Sequence, residues 1–257
     1  MLTQEEKIRY SRHLMLEDVG EEGQERIKNA RILIIGAGAL ATPNALYLSG
    51  AGVGTIGIID DDVVDVSNLH RQVIYQTSDI GKPKVECAKN RMLAINPNIC
   101  VQTHKMRFDL SNAKVLIQEY DLIIDATDNF VSKFLINDVC VLENKPFIHA
   151  GIMRYCGQIM GVIPHQSACL ACIFPTPPSN MKLYKNGLFA TITGILGSIS
   201  ASEVLKFFTH IGTPLTDSIL SIDLASMQFS KLQISKNPNC PICGKDSKRE
   251  IRQIACN

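Results

Sequence analysis

Apolar residues along this chain fall in short blocks separated by polar stretches, and their spacing predicts a mixed α/β fold. Thr3 followed by Glu6 matches a capping box, with Ile8, Leu14 and Leu16 supplying apolar positions for a helical N-terminal region. Residues 24–28 continue as a second helix. The run RILIIGAGALATPNALYLSGAGVGTIGIIDDD reads as strand, glycine turn, helix and strand, the opening of a parallel α/β sheet. Further strands are expected at 100–104, 121–125 and 146–149, separated by helices near 82–94, 113–118 and 132–143. After Gly151 the pattern changes: GQIMGVIP and SILSIDLASMQFSKLQI read as strands, and residues 188–208 as a buried helix. No repeat, low-complexity segment or linker interrupts this order, which favours one continuous fold.

Residues 32–59 and 186–202 contain no Asp, Glu, Lys or Arg. The first carries six glycines and a proline, and its apolar clusters are short, which suits a buried strand, turn and helix rather than a membrane span. Both stretches are read as core. At 46% hydrophobic and 20% charged residues, the 257-residue chain has the composition of an ordinary globular protein. Its 26 Lys+Arg nearly balance 25 Asp+Glu, and with no long basic run there is no electrostatic reason to expect nucleic acid or an anionic membrane as principal partner. The N-terminus opens with charged residues and lacks an unbroken apolar segment of the signal-peptide kind, so the expected compartment is the cytoplasm.

Nine cysteines is many for this length, and the odd number excludes complete intramolecular pairing. A reducing compartment favours metal ligation or thiol chemistry over a disulfide framework. Cys169 and Cys172 form one C-x-x-C and Cys240 and Cys243 a second, while Cys87, Cys100, Cys140, Cys156 and Cys256 stand alone. Two such pairs can place four thiolates around Zn2+ in a closed structural site, the 67 residues between Cys172 and Cys240 requiring only that the fold return there. Four unrelated buried or redox thiols are the other reading of the same spacing.

The glycine turn carries the first chemical clue. Gly36-Ala37-Gly38-Ala39-Leu40-Ala41 fits G-x-G-x-x-G/A between a strand and a helix, where small residues let the backbone approach phosphate oxygens and helix amides face the anion. Asp60 follows Ala41 by 19 residues, at a strand end where a carboxylate can accept hydrogen bonds from ribose hydroxyls. A nucleotide site is expected. NAD enzymes share this pattern, so the choice of nucleotide stays open here, and a tight turn without a ligand is the bland alternative.

The segments around it narrow that choice. Arg9-Tyr10-Ser11-Arg12 opens the chain; Asp60-Asp61-Asp62 leads to Ser67-Asn68-Leu69-His70-Arg71-Gln72, then Gly81-Lys82-Pro83-Lys84, then Asp125-Ala126-Thr127-Asp128-Asn129. Singly, each is weak: Arg or Lys is usually a solvated charge, Asp128 can cap a helix, and Asn68 can stabilise a turn. Together with the glycine turn and the cysteine pairs, in this order, they resemble the ThiF/MoeB/HesA family, bacterial relatives of ubiquitin-activating enzymes, over about residues 2–244.

The resemblance implies a Rossmann-like, largely parallel sheet continued by antiparallel strands. It divides the chain into N-terminal helices (1–30), a nucleotide-binding half (31–150) and a carrier-binding half with a structural zinc site (151–257). It also implies a reaction, attack of a C-terminal carboxylate on the α-phosphorus of ATP to give an acyl adenylate and pyrophosphate. Such a step brings two anions together and disperses charge, mainly a task for cations and Mg2+ rather than for a strong base. By resemblance Arg71 and Lys84 contact the phosphates, Asn68 helps place them, and Asp128 helps hold magnesium; Asp61 and Asp62 either face solvent or assist the metal. Arg12 reaches the phosphates from the neighbouring subunit, making a homodimer part of the site. The implied nucleotide set is Gly36, Gly38, Ala39, Ala41, Asp60, Asp62, Asn68, Arg71, Gln72, Lys84 and Asp128, and the zinc set Cys169, Cys172, Cys240 and Cys243. The implied partner is a ubiquitin-like sulfur-carrier protein of the thiamine or molybdenum-cofactor type, or a short peptide as in microcin-type adenylation.

Two departures from the family bear on chemistry. Ala39 and Ala41 stand where glycine is common, reducing backbone freedom. Residues 173–194, which correspond to a segment crossing the active site, contain no cysteine, and the usual nucleophile position falls near Leu183. A thioester needs a reachable thiolate, so no covalent adduct is expected there; Cys156 is the best replacement, and packing is its plainer role. An NAD-dependent oxidoreductase would use Gly36–Ala41 and Asp60 but gives no reason for Arg12, Arg71, Lys84 and Asp128 to occur together. A noncatalytic carrier-binding subunit would have lost those cations.

Overall fold

The computed structural model describes residues 1–176, 187–247 and 250–252. Helices α1 (Gln4–Arg9), α2 (Ser11–Leu14) and α3 (Gly20–Asn29) precede an alternating series: β1 (Arg31–Ile35), α4 (Ala41–Ala51), β2 (Thr55–Ile59), α5 (Lys84–Ile95), β3 (Cys100–His104), α6 (Ala113–Gln118), β4 (Leu122–Asp125), α7 (Phe130–Leu142) and β5 (Phe147–Met153). The chain continues through β6 (Cys156–Val162), α8 (Leu170–Ile173), α9 (Ala190–Thr209), β7 (Ser218–Asp223) and β8 (Gln228–Gln233). The strands form one sheet in the order β3-β2-β1-β4-β5-β6-β7-β8, parallel as far as β5 and antiparallel beyond it.

The sequences of the central strands explain their place. RILII, TIGII and LIID are almost continuously apolar because helices cover both faces of the parallel half. Along β1, Ile32 and Ile34 join the cluster containing Leu48, Ile58 and Leu196, whereas Leu33 and Ile35 join Ile123, Ile136 and Phe147 on the opposite face. The two uncharged runs therefore serve as β1-α4-β2 and as most of α9. Among the described residues no helix is long and apolar enough to cross a membrane.

Local chemistry sets the boundaries. The helix expected from residue 82 starts at Lys84, because Pro83 disfavours helical backbone at the residue before it. Helix α7 starts earlier than expected, at Phe130, because Asn129 caps it by accepting a hydrogen bond from Ser132 N at 2.9 Å. Strand β5 runs on to Met153 because residues 147–153 pair along their whole length with β6.

The Thr3–Glu6 capping box forms as expected. The N-terminal apolar assignment needs correction: Ile8 and Leu16 are 69% and 53% exposed. Leu2 and Tyr10 turn inward instead. Asn96 Nδ2 donates to the Tyr10 hydroxyl at 2.8 Å, and the Tyr10 ring lies over Gly52, whose φ of +86° ends α4 and whose position has no room for a side chain.

Candidate active site

Strands β1 and β4 are neighbours whose connections leave in opposite directions, α4 toward β2 and α7 toward β5, so a crevice opens at their carboxyl ends. A cleft of about 450 Å³ occupies it. The loop after β1 contributes Gly36, Gly38, Ala39 and Leu40, the end of β2 contributes Asp60, Asp61 and Asp62, and the loop after β4 contributes Ala126, Thr127, Asp128 and Asn129. Arg71, Gln72 and Lys84 close the cleft from the segment between β2 and α5.

The glycine loop is held from both sides. Ala37 N donates to Asp60 Oδ2 at 2.6 Å, and the Tyr75 hydroxyl, whose proton affinity burial raises, donates to Ala37 O at 2.7 Å. Gly36 has φ +94°, and a Cβ there would meet Ala126 O at 2.9 Å, so this glycine is required both by conformation and by the approach of the β4 loop. Ala39 is not among the residues with positive φ and tolerates its methyl. Ala41 is buried at the start of α4, behind the cleft lining.

Asp60 accepts a second backbone hydrogen bond, from Asp62 N at 2.8 Å through Oδ1. Each carboxylate oxygen has about two acceptor positions, which leaves capacity for hydroxyl donors from the cleft. Lys84 is buried, donates Nζ to Asp62 Oδ2 at 2.8 Å, and receives its own position from Lys84 N to Asp62 O at 3.0 Å. The 62–65 and 81–84 segments are tied by Val64 N to Lys82 O and Gly81 N to Val64 O, which is why Gly81 and Lys84 arrive together. Arg71 Nη1 donates to Ser67 O at 2.7 Å, fixing the guanidinium at the rim. Asn68 uses its side-chain carbonyl to accept from Asp65 N at 3.2 Å and lies beside the lining residues rather than among them.

Gln72 is 5% exposed, and its buried Oε1 has no hydrogen-bond partner. A Cβ on Gly38 would stand 3.8 Å from Gln72 Nε2, so the amide sits against the glycine loop. A buried amide left unpaired is costly unless something in the cleft pairs with it. This orphan fits a polar, hydrogen-bonding occupant such as a nucleotide.

Several lining residues were missed in the sequence. Met106, Arg107 and Phe108 follow β3 and form another wall of the cleft, and Lys133 enters from α7. Position at the carboxyl end of a parallel strand was the signal available for residues 106–108. Beneath the β4 loop, Asp125 is fully buried, with Lys133 Nζ 3.2 Å from each of its oxygens and His149 Nδ1 2.7 Å from Oδ2. Burial alone would push the Asp125 carboxyl up, but the Lys133 charge and the bonds from His149 and Thr127 hold it below the usual carboxylate range. Burial pushes the His149 imidazole down, opposed by Asp125.

Arg12 lies outside the cleft of its own chain, exposed on α2, with Nη1 3.8 Å from Met15 Sδ. The next residue, His13, borders a second hollow of about 350 Å³ with Leu46, Tyr47, Ala201 and Leu205. Cys156 is exposed on β6 opposite Asp223 and outside the cleft lining. Leu183 and Cys256 lie outside the described residues.

The four paired cysteines come together away from the cleft. Sγ separations are 3.8 Å for Cys169–Cys172, 3.6 Å for Cys169–Cys240 and Cys169–Cys243, and 3.4 Å for Cys172–Cys243. Tetrahedral zinc with Zn–S near 2.3 Å puts sulfurs about 3.8 Å apart. The donor set and spacing therefore fit that metal. The isolated cysteines Cys87 and Cys140 are buried in the core.

Comparison with known proteins bears on the fold and the family. A sulfur carrier protein adenylyltransferase of Thermus thermophilus is 40% identical over 259 aligned residues, covering 97% of this chain and 95% of that protein. A probable adenylyltransferase/sulfurtransferase MoeZ of Mycobacterium tuberculosis is 42% identical over 93% of this chain, which spans only 63% of that longer protein. Among solved structures, E. coli MccB with ATP superposes with a TM-score of 0.82 at 25% identity, covering 92% of this chain and 73% of that one. The ThiF family model matches residues 10–242, and the chain belongs to the ThiF family.

Proposed function

We propose that this chain is an adenylyltransferase that uses ATP to activate the C-terminal carboxylate of a ubiquitin-like sulfur-carrier protein. The observation that carries the reading is the convergence of Arg71, Lys84, Asp128 and the unpaired Gln72 amide on the cleft at the glycine loop. The Thermus thermophilus relative, matched over nearly its whole length, supports the carrier as acyl substrate. A short peptide terminus is the second reading, and the fold likeness to MccB, at 25% identity against 40% for the Thermus thermophilus relative, gives it the lesser support.

In this reading Asp60 accepts the ribose hydroxyls, and Gln72 pairs with the nucleotide. The carrier's carboxylate oxygen forms a bond to the α-phosphorus as the bond to the bridging oxygen breaks and pyrophosphate departs. Arg71 and Lys84 offset the repulsion between the two anions and stabilise charge on the phosphates. Asp128 and Asp62 face the cleft as hard oxygen donors suited to magnesium, which when bound would disperse phosphate charge. The four cysteines hold structural zinc that fastens α8 to the segment after β8. Without a cysteine in residues 173–194, the adenylate is released or passed on rather than converted to an adduct on that segment.

Arg12 completes the site from a second copy of the chain. The hollow beside His13, together with exposed Ile8, Met15, Leu16 and Tyr47, supplies apolar surface for such a homodimer. The cytoplasm is the compartment that suits four reduced thiols. The test is carrier-dependent ATP–pyrophosphate exchange with candidate ubiquitin-like proteins and short peptides. Exchange dependent on a carrier and lost in Arg71→Ala and Asp128→Ala is expected. Exchange that needs no acyl partner, or that survives both substitutions, would overturn the reading.

A further inference from the structure

Asp125 is wholly buried and outside the cleft lining, yet it governs the loop that carries Asp128. Its Oδ1 accepts both Thr127 N at 3.1 Å and Thr127 Oγ1 at 2.7 Å. The Thr127 hydroxyl thus points inward to the carboxylate. Three elements converge on the same group: β4 supplies Asp125, α7 supplies Lys133, and β5 supplies His149. Lys133 Nζ also donates to Ala150 O at 2.6 Å, so its charge is spent inside the protein rather than offered to the cleft.

A turn between a strand and a capped helix does not require a buried ion pair. Asn129 already caps α7, and a buried pair often contributes no more stability than apolar residues of similar volume. What the carboxylate adds is direction. Without it, the three residues between β4 and Asn129 would be held only by the bond from Ala126 N to Ile35 O at 3.0 Å and by the Asn129 cap. With it, Thr127 is fixed at both its amide and its hydroxyl, and Asp128 follows by one residue.

We infer that Asp125 is a positioning residue, acting through the Thr127 hydroxyl to hold Asp128 at the phosphate side of the cleft, with Lys133 and His149 holding the carboxylate in turn. The inference rests on the adenylation reading and names the support of that same site.

The test compares Thr127→Val, which removes the hydroxyl at nearly constant shape, with Thr127→Ser, which keeps it. Carrier-dependent ATP–pyrophosphate exchange is resolved into kcat and KM for ATP, alongside thermal melting. Displacing a group by about 1 Å can lose about a hundredfold in rate, so Thr127→Val is expected to lower kcat about ten- to a hundredfold. KM for ATP and the melting temperature should stay close to the parent protein, and Thr127→Ser should recover most of kcat. Should Thr127→Val fail to fold, Asp125→Leu combined with Lys133→Met removes the acceptor for Thr127 without stranding a buried charge, and the same loss of kcat is expected. An unchanged kcat in the variant that folds, or a serine variant as slow as the valine one, overturns the inference alone. A parent protein with no exchange overturns the adenylation reading instead.

Discussion

Lys84 Nζ lies 2.8 Å from Asp62 Oδ2, yet the lysine side chain is 7% exposed and the carboxylate 68% exposed. The ammonium is therefore a buried cation whose compensating charge sits at the rim of the cleft. Replacing Lys84 by Met removes a preorganised charge from the phosphate site, and kcat/KM for exchange is expected to fall about 10²- to 10³-fold. Lys84→Arg should not restore it, because a planar fork does not fit a hollow shaped for a compact ammonium. Wild-type kinetics in Lys84→Met would show that the charge plays no part in catalysis.

If Arg12 acts across a dimer, mixing two inactive proteins regenerates activity. A mixed dimer of Arg12→Ala and Arg71→Ala chains contains one site with both arginines and one with neither. Random reassortment in a two-fold assembly makes about half the dimers mixed, so about a quarter of the parent activity should return. Mixtures that stay inactive after verified subunit exchange would place both arginines in one chain's site or remove Arg12 from the chemistry.

The parallel half and the glycine loop can be read from the residues because their causes are local. Continuous runs such as RILII announce buried strands, and Gly36 and Asp60 mark a loop and a strand end whose spacing depends only on the intervening helix. Asp125 carries no such mark: its partners Lys133 and His149 lie on two other elements. The exposed Ile8 and Leu16 mislead for the opposite reason. A helix of six residues has too little periodicity to say which apolar side chain turns inward, and Tyr10 takes that place through Asn96 and Gly52.

The four-cysteine cluster should hold one zinc ion per chain. Release by a mercurial reagent, followed with a colorimetric zinc indicator, is expected to give one equivalent, and Cys240→Ser to give much less. Because ligation is linked to folding, chelation should also lower the melting temperature. Full stability after verified metal removal would leave the thiols as packing residues.

Stability should fall on acidification in two stages. The His149 imidazole is held below its ordinary 6.5 by burial, so the unfolded chain binds the extra proton first and stability declines as pH drops through 6.5 toward the lowered value. Asp125, held below its ordinary 3.8 against the opposing effect of burial, contributes stability that is present above 3.8 and lost as pH falls through its folded value. Melting temperatures between about pH 5 and 8 should therefore show the upper stage in the parent protein and a weaker one in His149→Gln, in the range where the ordinary imidazole value falls. An identical profile in the two proteins would remove His149 from the acid response.

Arg252 joins the end of the described chain to the middle of α7. Its Nε and Nη2 donate to Asp138 Oδ2 and Oδ1 at 2.8 and 2.7 Å, its backbone N reaches Oδ2 at 3.1 Å, and Nη1 donates to Pro175 O at 2.9 Å. The guanidinium also lies 5.0 Å from the centre of the Phe134 ring. Asp138 is 0% exposed, so Arg252→Ala leaves a buried carboxylate without its cation, and removing one partner of such a pair typically costs about 3–5 kcal/mol. The neighbouring Asn137 accepts from Leu170 N at 2.8 Å, so the loss should be felt at α8 and its cysteines as well as in α7. Urea unfolding should place Arg252→Ala in that range, while Asp138→Leu with Arg252→Met, which removes both charges, should recover most of the difference. A loss below about 1 kcal/mol in the single variant would mean that the pair behaves as a solvent-screened surface bridge.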